Sequence, residues 1–109
     1  MKVSRKPSYS LDEMKRLVAD NRFRPTQRVE RFLISHYDDD PWELAKEIFF
    51  SIQEADFVKS FELRGRPGVM ADVYVGGCYD NQEWYIKAFI ENGELEVQLW
   101  SMCWDGCTH

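Results

Sequence analysis

A chain of 109 residues, 44% hydrophobic and 15% aromatic, is long and apolar enough to bury one core, which excludes disorder and any need for disulfide staples. Its net charge of −5 disfavours nonspecific nucleic-acid binding by the molecule as a whole, and no apolar run of about 18 residues occurs, so no membrane span is expected. Three cysteines, an odd number, suit a reducing, cytoplasmic setting, and the basic residues near the start are not followed by the apolar core of a secretory signal.

The charge is unevenly spread. Residues 1–31 carry nine Lys/Arg against four Asp/Glu, whereas residues 32–109 carry five against fifteen. The basic third suits an anionic partner or, more simply, a pair of solvated helices. Ser10 with Glu13 reads as a capping box, and Leu11, Met14, Leu17 and Val18 follow at helical spacing, predicting a helix over 11–20. Residues 21–25 read as a connector, because Pro25 disfavours helix at Arg24. Thr26 can cap a second helix with Val29, Phe32 and Leu33 on one face, fading near His36. Asp40-Pro41-Trp42-Glu43 is the clearest helix start: a capping Asp, Pro at the first helical position, then Glu. Leu44, Ala45, Ile48, Phe49 and Ile52 give this third helix a broad apolar stripe.

Three apolar runs with strand character follow, over 57–63, 69–75 and 84–90. Gly65, Pro67 and Gly68, then Gly76 and Gly77, separate them. Asn92-Gly93 is a strong hairpin signal leading into a fourth strand over about 95–102, with Leu95, Val97 and Leu99 expected on one face. The tail from Cys103 has no clear period. The expected architecture is one α+β domain: three N-terminal helices, then a four-stranded antiparallel sheet, with Phe49, Ile52, Ile86 and Val97 buried together beneath the third helix.

Chemistry is sparse. Two histidines, His36 and His109, suggest no Ser/His/Asp arrangement, and Gly76-Gly77 lacks the Lys-Ser/Thr of a phosphate loop. Cys103, Cys107 and His109, with Cys78, could supply soft zinc ligands, but their spacing fits no common module and ordinary cysteines are the simpler reading, so no metal or other cofactor is expected. Lys59, Tyr85 and Lys87 project from strands. A ribonuclease using the RNA 2′-hydroxyl as nucleophile needs cations for the phosphate and groups to move protons, which Lys and Tyr on a rigid sheet can supply. From the residues alone, a half-buried tyrosine and two solvated lysines remain the simpler account.

The order of short motifs resembles the bacterial MqsR (motility quorum-sensing regulator) toxin family. Pro7-Ser8-Tyr9-Ser10-Leu11 resembles the family's Pro-x-Tyr-x-Leu, and Thr26 falls where the family has a Thr. Asp56-Phe57-Val58-Lys59-Ser60 is similar to Asp-Phe-Tyr-Lys-Ser, Asp72-Val73-Tyr74 to the end of Trp-Gln-Asp-Val-Tyr, and Tyr85-Ile86-Lys87 to Tyr-hydrophobic-Lys. The resemblance implies a RelE-like α+β fold, a metal-independent mRNA-cleaving toxin and a cognate antitoxin protein. It implies catalytic roles for Lys59 and Tyr85. Lys87, Arg64 and Arg66 are the expected RNA-binding cations, Arg being suited to bidentate phosphate contact. Met70 and Ala71 stand where the family has Trp and Gln, and Cys103 where it has a C-terminal Lys. These departures define the alternative, a catalytically impaired toxin-like module that binds an antitoxin or another protein.

Overall fold

The computed structural model describes residues 2–91 and 95–106. Three helices lie where the spacing places them: α1 (Leu11–Ala19), α2 (Gln27–His36) and α3 (Pro41–Ser51). Each start is fixed by a side chain that accepts an otherwise unpartnered backbone N–H. Ser10 accepts from Glu13, Thr26 from Val29 and Asp40 from Trp42. Glu13 turns its carboxylate to Arg16.

The sheet corrects the sequence-based expectation. It is not four antiparallel strands but six mixed ones, in the order β1-β3-β4-β5-β6-β2. The four longer strands are β3 (Phe57–Glu62), β4 (Met70–Gly76), β5 (Trp84–Glu91) and β6 (Glu96–Trp104), which form the expected antiparallel meander. The two additions are β1 (Val3–Ser4), antiparallel to β3, and β2 (Phe23–Pro25), parallel to β6. Both are too short to carry a period-two pattern. The proline that rules out helix at Arg24 favours extended backbone there, and β6 supplies the partner. The β6 strand also runs on through Cys103 and Trp104, which the aperiodic tail did not suggest. Leu95 lies outside the strand, exposed, with φ of 48°, so it does not share the face of Val97 and Leu99. The expected Asn92-Gly93 turn lies outside the described residues.

The three helices cover one sheet face. Leu11, Met14, Leu17, Val29, Leu33, Leu44, Ile48 and Phe49 pack with Tyr74, Trp84, Ile86, Val97, Leu99 and Met102, and Ile52 joins them. Phe49, Ile52, Ile86 and Val97 are thus buried together, as expected. His36 ends α2 on this side, stacked on Phe32 with ring centroids 4.3 Å apart.

The other face carries a smaller cluster, Leu63, Ala71 and Phe89, joined by Tyr9, Val69 and Trp100. No residue of α1, α2 or α3 contributes to it. Strand alternation sends Tyr85, Lys87 and Phe89 to this second face, while Trp84, Ile86 and Ala88 face the helices.

Candidate functional site

The strand register assembles a row of residues on the face the helices leave bare. Lys59 pairs with Val73, Val73 with Lys87, and Lys87 with Ser101. The next row reads Val75, Tyr85 and Cys103. Lys59 and Lys87 therefore flank the buried Val73 from opposite sides, although 28 positions separate them in sequence. Their ammonium groups converge over one ring: Lys59 Nζ lies 5.4 Å and Lys87 Nζ 4.9 Å from the Phe61 centroid. A ring face attracts cations, which offsets part of their mutual repulsion.

These side chains border a depression of about 520 Å³, lined by Val3, Arg28, Lys59, Phe61, Leu63, Arg64, Lys87 and Trp100. Four of the eight are cations and none is a carboxylate. Arg28 comes from the first turn of α2, reaching around the sheet edge to the Trp100 carbonyl, to which its Nη2 donates at 3.4 Å. Trp100 is brought to this face by a bulge. Lys87 pairs with Ser101 but Ala88 pairs with Leu99, leaving Trp100 as the extra residue of β6. Its indole rests on Phe89, with centroids 5.7 Å apart.

The electrostatics follow from this crowding. Burial, then Arg28 and Lys59, make Lys87 release its proton more readily than an ordinary lysine. Tyr85 is shifted the other way, mainly by burial and further by Cys103, so it keeps its phenolic proton across the neutral range. The site thus holds basic side chains beside a proton-bearing phenol, a set able to bind and polarise an anion.

Of the residues singled out in the sequence, Lys59, Lys87 and Arg64 meet in the depression. Tyr85 lies one row along the same face, outside that lining. Arg66 is elsewhere: its guanidinium makes a two-pronged pair with Glu91, at 3.2 and 2.7 Å, and lies over Phe89. Ala71 and Cys103, where the resemblance expects Gln and Lys, are fully buried on this same face. Arg28 and Trp100 were not anticipated. The basic excess of residues 1–31 was the only trace of Arg28, and a bulge leaves no mark in an alternating pattern. Cys107 and His109, two of the zinc candidates, lie outside the described residues. Among those described, no group of three or more His, Cys, Asp or Glu is placed to hold a metal ion. Nor is any described helix long and apolar enough to cross a membrane.

Helices on one side of a sheet and a cationic hollow on the other define a small two-layer α+β protein with a face suited to an anionic ligand. A family model described as "Motility quorum-sensing regulator, toxin of MqsA" matches residues 6–100, and the chain belongs to that family. It is accordingly the toxin component of a toxin–antitoxin system, with an antitoxin as partner. No curated protein matches the chain.

Proposed function

We propose that this toxin is a metal-independent endoribonuclease that cleaves mRNA in the cytoplasm at the bare sheet face. The observation that carries the reading is the convergence of Lys59 and Lys87 over the Phe61 ring in a hollow lined by four cations and no carboxylate. Attack by a 2′-hydroxyl on the adjacent phosphorus forms a 2′,3′-cyclic phosphate as the P–O5′ bond breaks, the 2′-hydroxyl proton passing to solvent and the departing 5′-oxygen taking one up. Negative charge builds on the phosphate oxygens, and fixed cations in a partly desolvated hollow stabilise that charge more than water does. Lys59 and Lys87 take this role, with Arg64 and Arg28 on the flanking phosphates. Tyr85 enters as a proton donor or positioning group for the phosphate, since it keeps its proton at neutral pH. Arg66, engaged by Glu91, is the weakest of the expected RNA contacts.

One observation favours a second reading. Ala71 and Cys103 put buried, weakly polar side chains where relatives are expected to carry Gln and Lys, as in a toxin-like module that has lost its chemistry and kept its antitoxin surface. Induced expression of the wild type, Lys59→Ala and Tyr85→Phe, scored by growth and mRNA integrity, separates the two. The ribonuclease reading expects toxicity in the wild type and a loss of roughly 10²-fold or more in cleavage for each variant, as for other removed charge-stabilising or acid–base groups. Equal cleavage by all three would remove Lys59 and Tyr85 from the mechanism. Intact mRNA and normal growth with the wild type, in the absence of antitoxin, would establish the binding module.

A further inference from the structure

A second depression adjoins the first. It measures about 630 Å³ and is lined by Arg24, Pro25, Thr26, Gln27, Arg28, Glu30, Trp42 and Trp100. Arg28 and Trp100 line both hollows, so the two meet along that pair. The junction is fixed from several directions. Thr26 donates its backbone N–H to Leu99 O at 3.1 Å and its hydroxyl to Trp100 O at 3.2 Å, tying the start of α2 to the bulge. Arg28 donates to the same Trp100 carbonyl. Phe89 supports the Trp100 ring from the sheet.

The chemistry of the second hollow suits a nucleotide. Two tryptophans, Trp100 and Trp42, are among its lining, the latter 38% exposed. Its two cations are Arg28 and Arg24. Arg24 is 65% exposed and held by Glu96 through a single 3.4 Å contact, which at that exposure is weak enough to exchange for a phosphate. The lining's one carboxylate, Glu30, already accepts from the Trp42 indole N–H at 3.3 Å. Aromatic side chains beside a basic track are how proteins hold single-stranded nucleic acid, because every base has a face to stack.

We propose that this second hollow is a subsite for one nucleotide flanking the cleavage position of a single-stranded RNA. Its base stacks on Trp100, and Arg28 holds the phosphate linking it to the nucleotide over Lys59 and Lys87. The assignment rests on the ribonuclease reading and extends it by one nucleotide of RNA track. It makes recognition depend on a base as well as on charge.

The test uses the full chain and a fluorescent 2′-O-methyl RNA of about eight nucleotides, which a 2′-hydroxyl mechanism cannot cut, with binding read by anisotropy. Trp100→Ala weakens binding roughly 5- to 150-fold, the usual loss for one stacked base, while Trp100→Phe keeps most of it. Trp100→Ala leaves the salt slope unchanged, whereas Arg28→Ala lowers it by about 0.7, the increment for one single-strand phosphate. An abasic residue at one position of the RNA reproduces the Trp100→Ala loss in the wild type and adds nothing in the variant. If Trp100→Ala does not fold, the abasic series on the wild type and Trp100→Phe decides. An abasic series in which no position costs affinity, or a folded Trp100→Ala that binds RNA like the wild type, overturns the subsite and leaves the reading built on Lys59 and Tyr85 standing. Loss of antitoxin binding with RNA binding intact would make the hollow a protein-docking surface instead. A wild type that does not bind the RNA overturns both.

Discussion

Lys87 has lost part of its hydration without a carboxylate in the hollow around it to compensate. Its charged form is disfavoured, and the shift is downward from 10.5. The sign has two consequences. In the free protein the folded state binds this proton less tightly than the unfolded chain, so stability rises with pH between the lowered value and the ordinary one. In RNA binding the same titration removes a cation, so affinity falls on the alkaline side before an exposed lysine would lose its charge. A non-cleavable oligonucleotide of adenine and cytosine alone, whose bases have no proton to lose there, should show this alkaline limb. Lys87→Arg should abolish it, because arginine keeps its charge. A limb unchanged in Lys87→Arg would mean that another group titrates. That Tyr85 and Lys87 share a face was legible in the sequence because strand parity is a local property, whereas Lys59 joins them only through the pairing of β3 with β4 and of β4 with β5. The neighbours that tune Lys87 were only partly so: Lys59 was in view, whereas Arg28 reaches it from a helix nearly sixty residues earlier.

At the scale of elements, the segment ahead of α1 shows how one face depends on the other. Asp72 is fully buried on the helix side of β4 and accepts the backbone N–H groups of Ser8 and Tyr9, each at 3.0 Å. Ser8 also meets the buried Ser60 hydroxyl at 2.6 Å, and the Tyr9 hydroxyl donates to Met70 O at 2.8 Å. This strap anchors the chain that continues back to β1, whose Val3 forms part of the rim of the cationic hollow. Asp72→Ala would strand two part-buried donors and should cost on the order of 3 kcal/mol, measured by urea unfolding. Hydrogen exchange at Ser8 and Tyr9 should speed up together. Protection at both amides unchanged from the wild type would show that β1 and the hydroxyl contacts suffice. Helices and the four longer strands were legible because each has a cap or a period of its own. Short β1 and β2 were not, since two or three residues carry no period and their strand character comes from partners distant in sequence. The Trp100 bulge was hidden for a related reason: it is a property of the pairing between β5 and β6.

The whole molecule is acidic, yet its candidate site is basic. Arg28, Lys59, Arg64 and Lys87 gather from α2, β3, the turn after β3 and β5, while most carboxylates fall in the acidic residues 32–109. Such a molecule attracts RNA at one place and repels it elsewhere, so a few phosphate contacts should carry most of the affinity. If about three phosphates are neutralised, the logarithmic salt slope should be near −2, and affinity should fall about 16-fold between about 50 and 200 mM salt. A slope near zero in the same titration would show that charge does not drive binding. The six-strand order also has a bearing on what the molecule avoids. Both outer strands are stubs of two and three residues, the first beside Lys2, Arg5 and Lys6, the second containing Arg24 and ending in Pro25, which has no N–H to offer. Brief, charged, proline-bearing borders give a neighbouring copy little backbone to zip onto. A toxin released from its antitoxin therefore offers little open strand edge for a second copy to pair with, and the meander at its centre is bordered by strands too short to template a fibre.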